Sequence, residues 1–172
     1  MRKKDKSVAD FIPIAFYDKE KEFYRYKDGM IMDIFQIIPK DIDNLDEDEK
    51  ILDNLKYEKF YKINEPSIKI LPMNFPEKTE EQQEFYRKKI EKCKNPKFRE
   101  ELEISLEELK FIQENYYHRE FILMVFANTE EEYKKVVNHI HETLGLGSRA
   151  LCTRIDESKK EEVLCKIANK NL

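Results

Sequence analysis

Three short apolar segments open the chain, at residues 11–17, 23–26 and 30–38, each of strand length and each set off by polar residues. They predict three strands. Asp18-Lys19-Glu20-Lys21 is a polar turn between the first two, and Lys27-Asp28-Gly29 carries the Asp-Gly signal of a tight hairpin turn. The third segment is almost continuously apolar, as a central strand should be, and Pro39 ends it.

Beyond it the period changes from two to between three and four. A helix is predicted over 46–61, started by the pair Asp46 and Glu49 and carrying Ile51, Leu52, Leu55 and Phe60 as its apolar stripe. Residues 68–73 return as a strand, in which Pro72 points to an edge position or a strand end because proline gives no N–H to a ladder. Thr79 and Gln82 form the next capping box, at the head of a helix reaching residue 93 with Phe85, Tyr86 and Ile90. Asn95-Pro96 breaks it, and a second helix continues to about residue 117 with Phe98, Leu102, Leu106, Leu109, Ile112 and Tyr116 spaced by three or four. Two helices joined by so short a turn should pack as an antiparallel hairpin.

Residues 121–126 predict a buried strand. Thr129 and Glu132 cap a helix whose Tyr133, Val136, Val137, Ile140 and Leu144 share one face, and Gly145 ends it as a left-handed cap. Residues 150–155 make a weaker strand, and Ser158 with Glu161 opens a last helix bearing Val163, Leu164 and Ile167. The order predicts an α+β fold: a ferredoxin-like antiparallel sheet with helices on one face, an N-terminal β-hairpin, and an antiparallel helical hairpin inserted at about 79–117. Residues 1–8 are expected to be a flexible basic tail and 9–172 a single domain.

Charge narrows the function classes. The chain has 36 acidic and 32 basic residues, a formal charge of −4, so the positive excess usual in a general nucleic-acid binder is absent. No apolar run approaches the ~20 residues of a membrane helix, and the basic start has no apolar segment behind it, so it is not a secretory signal. Cys93, Cys152 and Cys165, odd in number and scattered, fit a reducing cytoplasm, with Cys152 and Cys165 expected as buried or half-buried thiols.

The search for chemistry returns mostly exclusions. Glycine occurs only at 29, 145 and 147, so the chain holds no Walker A loop and cannot hydrolyse ATP by that mechanism. Gly145-Leu146-Gly147-Ser148-Arg149-Ala150 matches a loose dinucleotide pattern but follows a helix and precedes a strand, the reverse of the required context. His139 and His141 lie on different faces of a helix, and His141-Glu142 lacks the second histidine of a zinc-peptidase motif. His118 and these two are expected to be solvated. Asp41, Asp43, Asp46, Glu47 and Asp48 suit a charged helix start better than a calcium loop. No catalytic residue, cofactor or metal site is expected.

Phe23-Tyr24-Arg25-Tyr26-Lys27 interleaves rings with positive charge on a predicted edge strand. Such a strand can stack bases, cover a core, or accept a strand from another chain. The candidate interface residues are Phe23, Tyr24, Tyr26, Tyr116 and Tyr117.

Met32 to Ile37, the Ile68-Lys69-Ile70-Leu71-Pro72-Met73-Asn74-Phe75-Pro76 run with Thr79-Glu80-Glu81-Gln82-Gln83 behind it, Asn95-Pro96, and Arg119-Glu120-Phe121 carry a resemblance in their order and spacing. From Ser7 to about Ile167 the chain resembles the N-terminal domain of the ATPases that energise conjugative type IV secretion in Gram-positive integrative elements, without their motor domain. The resemblance implies a non-catalytic assembly domain that contacts inner-membrane or channel components and fellow subunits, cytoplasmic and held at the membrane's inner face by partners. Two origins fit a motorless chain, a fragment of a longer ATPase or a protein encoded alone. The rival function is a free-standing ferredoxin-like regulatory or single-stranded nucleic-acid-binding module, resting on the 23–27 segment.

Overall fold

The computed structural model describes residues 13–64, 67–145 and 150–168. The expected tail over 1–8, the start of the first strand at 11–12 and the Leu146 to Arg149 part of the glycine loop lie outside them. The chain is α+β, with six strands in one sheet and five α-helices among the described residues: β1 Ile14–Asp18, β2 Phe23–Tyr26, β3 Ile31–Ile37, α1 Glu47–Asn64, β4 Ile68–Pro76, α2 Glu80–Lys92, α3 Pro96–Asn115, β5 Tyr117–Ala127, α4 Glu130–His139, β6 Cys152–Arg154 and α5 Glu157–Ala168.

The sheet runs β1-β2-β3-β5-β4, with β6 also paired to β3. β2 is therefore an interior strand, because β1 covers the side that the sequence left as an edge. β4 is the edge strand that Pro72 indicated. β5 pairs along β3 from Ile31↔Ala127 to Ile37↔Phe121. On its other side β3 is shared: β2 takes Ile31 and Met32, β6 takes Phe35, Gln36 and Ile37, and neither takes Asp33 or Ile34.

The chain divides into two compact units. The first holds the described residues up to Leu71 and from Phe121 on. Its main core joins Phe23, Ile31, Phe35, Leu123 and Val125 of the sheet to Phe60 of α1 and to Tyr133, Val136, Val137 and Ile140 of α4 and the turn after it. Met32, Ile34 and Ile122 point to the opposite face and are fully buried as well. The sheet is thus closed on both faces, where one covered face was expected, which accounts for the nearly continuous apolar run of β3.

The second unit, Pro72–Glu120, holds the helical hairpin and the strand ends that carry it. There the Glu77 N–H donates to the Tyr116 carbonyl and Arg119 Nε to Asn74 Oδ1, so residue numbers fall along β5 as they rise along β4 and the strands are antiparallel.

Several local expectations are corrected. Thr79 makes no cap hydrogen bond; its hydroxyl is buried and turned toward α3. The cap of α5 is Asp156, whose Oδ1 accepts from the Lys159 N–H, while Ser158 lies inside the helix. β5 begins at Tyr117, so α3 is shorter and the strand longer than the periodicity implied. Gly145 ends a π-helical turn, Ile140–Leu144, at φ 72° and ψ 167°, a positive-φ stop outside the left-handed helical region. Cys165 is exposed, whereas Cys152 is buried, with its thiol pushed up to about 12 by burial.

Candidate functional site

Asp33 is the one charged residue inside the apolar run of β3, and it is 0% exposed. Enclosing a carboxylate costs several kcal/mol, as an order of magnitude, unless it is paired. Here Lys160 of α5, 2% exposed, donates to Oδ1 at 2.7 Å and the Tyr133 hydroxyl of α4 donates to Oδ2 at 2.7 Å. Oδ1 also accepts from the Ile34 N–H at 2.7 Å, at the point where β2 and β6 leave β3 without a ladder partner.

Lys160 makes a second bond, to the Glu22 carbonyl at 2.6 Å, and Glu22 stands at φ 59°, a positive value rare outside glycine. Burial, then the Asp33 charge, raises the Tyr133 hydroxyl far above the ordinary tyrosine value. No substrate can reach groups this enclosed. What they do is lock β3, α4, α5 and the β1–β2 turn in one arrangement.

Helix α1 carries the opposite situation. Asp46 Oδ1 accepts from the Glu49 N–H at 2.7 Å, so the predicted start is real. The predicted stripe is not the buried face: Ile51, Leu52 and Leu55 are 56%, 53% and 55% exposed, and only Phe60 of the four is buried. Asp53, Tyr57 and Phe60, at helical spacing, face inward instead. A cleft of about 550 Å³ opens beside them, with Ile37, Pro39, Ile42, Ile70 and Phe121 in its lining and Tyr57 and Tyr61 stacked along it. Burial pushes the Asp53 carboxyl up, but hydrogen bonds from Lys40 and Lys56 outweigh it and hold the group below its ordinary range. Burial raises Tyr57 to about 12.

In the second unit, α2 and α3 are joined by a buried polar cluster. The Thr79 hydroxyl lies 3.0 Å from the Leu109 carbonyl and 3.1 Å from Gln113 Oε1, and Gln83 Nε2 donates to both the Thr79 hydroxyl and Gln113. Leu102 is buried, yet Phe85, Phe98, Ile104 and Phe111 are all at least half exposed. His118 sits on β5 between Glu120 at 2.8 Å and Glu77 at 3.4 Å, half-buried where a solvated ring was expected.

The five candidate interface residues are divided between the two units. Phe23 and Tyr24 are 1% and 5% exposed, because β1 covers β2 and α4 packs on Phe23, whose ring meets Tyr133 edge-on at 4.9 Å. Buried rings offer no face to a base. Tyr26 is half-buried against Phe126, while Tyr116 and Tyr117 are exposed in the other unit. Sequence reasoning missed Asp33 and Lys160, although a lone carboxylate in an apolar strand was the available signal. It also passed over the 53, 57, 60 spacing in α1.

Residues 16–169 match the family model described as an archaeal TraC-like domain. That description does not carry the Gram-positive element of the resemblance. No curated protein and no solved structure matches the chain. Among the described residues no helix is long and apolar enough to cross a membrane.

Proposed function

The chain belongs to the archaeal TraC-like domain family, a conjugation-related family, and from that premise we propose that it is a non-catalytic assembly domain of a conjugative type IV secretion apparatus. It corresponds in this reading to the N-terminal domain of a conjugation ATPase, and it meets a membrane-associated protein of the machine through α1. One observation carries the reading: α1 leaves Ile51, Leu52 and Leu55 more than half exposed along one helical face. Scattered exposed apolar residues need no explanation, whereas a contiguous group marks an interaction surface. The occupant is a protein segment with an apolar face, since the stripe is aliphatic and the acidic first turn of α1, Glu47, Asp48 and Glu49, disfavours an anionic lipid surface. The sheet is read as ferredoxin-like on the strand order β4-β5-β3-β6, which is the order that two interleaved βαβ units produce.

The test is capture from membranes of cells engaged in conjugation, using the chain and its Leu52→Glu, Leu55→Glu double variant. The expected result is recovery of a transfer-machine protein by the first and its loss with the second, at an unchanged melting temperature. Recovery of no transfer component by the unaltered chain would sink the proposal.

A further inference from the structure

The helical hairpin carries two apolar concavities of opposite charge. One, about 650 Å³, lies along α3, where Glu100, Glu103, Glu107 and Glu108 surround Ile104 and Phe111. The other, about 440 Å³, lies where α2 meets the start of α3, with Lys88, Lys89 and Lys92 around Phe85 and Phe98. At 3.6 residues per turn, Phe98 and Leu102 point about half a turn away from Ile104 and Phe111, so the lysine side and the glutamate side face apart. The four apolar side chains Phe85, Phe98, Ile104 and Phe111 are each at least half exposed.

We propose that the hairpin joins copies of this chain head to tail, the lysine side of one seating on the glutamate side of the next. This deepens the assembly reading by naming a second copy as the partner of this surface. The occupant follows from charge. A twofold contact through either side would set lysines against lysines or glutamates against glutamates, which is repulsive, whereas the unlike sides are complementary in sign and both apolar at the centre. The charges are free to exchange partners: among the described residues Lys88 pairs with Glu84, at 3.4 Å, and Glu103 and Glu107 pair with Arg99 and Lys110 on their own exposed surface. Such exposed pairs are worth little, so trading them for pairs between copies costs little. Lys89 already lies over the Phe85 ring at 4.4 Å, which keeps a cation at the centre of the lysine side. Contacts between unlike surfaces do not close on themselves at two copies, so the product is a ring or an open row.

The experiment is sedimentation velocity on the purified chain across concentration and salt, with Glu103→Lys, Glu107→Lys as one double variant and Lys88→Glu, Lys92→Glu as another. Average mass is expected to rise with concentration and to fall as salt shortens the screening length from about 10 Å toward about 3 Å. Each double variant alone should associate at least roughly tenfold more weakly, since it sets like charges together. The first variant is basic on both sides and the second acidic on both, so their equimolar mixture should recover the association. Unchanged melting curves establish that the variants fold, and Glu100→Lys, Glu108→Lys replaces the first pair if they do not. A chain that stays monomeric throughout, a mixture no more associated than its components, or a dimer indifferent to both reversals overturns the proposal. Only the purified chain is used, so an empty capture from conjugating membranes, which would sink the assembly reading, leaves this result standing.

Discussion

Helix α4 turns Tyr133, Val136 and Val137 into the core, whereas α1 keeps Ile51, Leu52 and Leu55 more than half exposed and turns Asp53, Tyr57 and Phe60 inward. Both helices have an apolar stripe of the right period. In α4 every residue opposite that stripe is polar, so only one orientation buries anything. In α1 the two faces compete. Fully burying Phe60 contributes about 1.5–3 kcal/mol, and leaving three aliphatic chains half exposed forgoes a similar total. With the faces so nearly balanced, the neighbours decide: Ile37, Ile68 and Ile70 offer partly buried aliphatic surface to a ring, and Lys40 is placed to pair with Asp53. The lesson is that a stripe predicts burial only where its opposite face has nothing to offer the core.

The strongest way to break the comparison is at the anchor beneath α4. Lys160→Met leaves Asp33 enclosed without its cation and should cost about 3–5 kcal/mol in urea unfolding, part of which a second change, Asp33→Asn, should restore. Loss in the double variant equal to the sum of the two single losses would mean the residues do not act as a pair.

A direct contrast of the two stripes comes next. Ile140→Ala, at the end of the α4 face, should cost about 2–5 kcal/mol, while Leu55→Ala should stay within about 0.5 kcal/mol. Equal losses in calorimetry would show that α1 buries Leu55 after all.

The smallest expected effect sharpens the inward face of α1. Asp53→Asn should cost about 1 kcal/mol at neutral pH, since Lys40 and Lys56 are partly solvated and recover water when it is gone. The folded-state value of Asp53 is depressed, so its contribution is present above the ordinary carboxylate value and is lost as pH falls through the lowered one. The stability gap between the two proteins should therefore narrow below about pH 4. A gap that widens on acidification would contradict the pairing.

Much of the architecture was legible because local signals were unopposed. Asp28-Gly29 turns with Gly29 at φ 90°, Asn95-Pro96 separates α2 from α3, and Thr129 accepts from the Glu132 N–H as the spacing required. Where a side chain had a better offer at long range, the local signal failed. Thr79 left its cap position for Leu109 and Gln113, about a whole hairpin away in the chain. The candidate interface failed at Phe23 and Tyr24 for a related reason, since alternation along a strand does not say whether another strand lies beside it.

By itself the sequence determined most element types, their boundaries to within a few residues, and the α+β class, because periodicity, proline, glycine and capping residues act within a few positions of one another. Only the tertiary structure decided which face of α1 is covered, that β2 is interior, and that Asp33, Tyr133 and Lys160 meet. The last of these joins residues 100 and 127 positions apart, and a buried charge shows its partner only when the chain has folded around both.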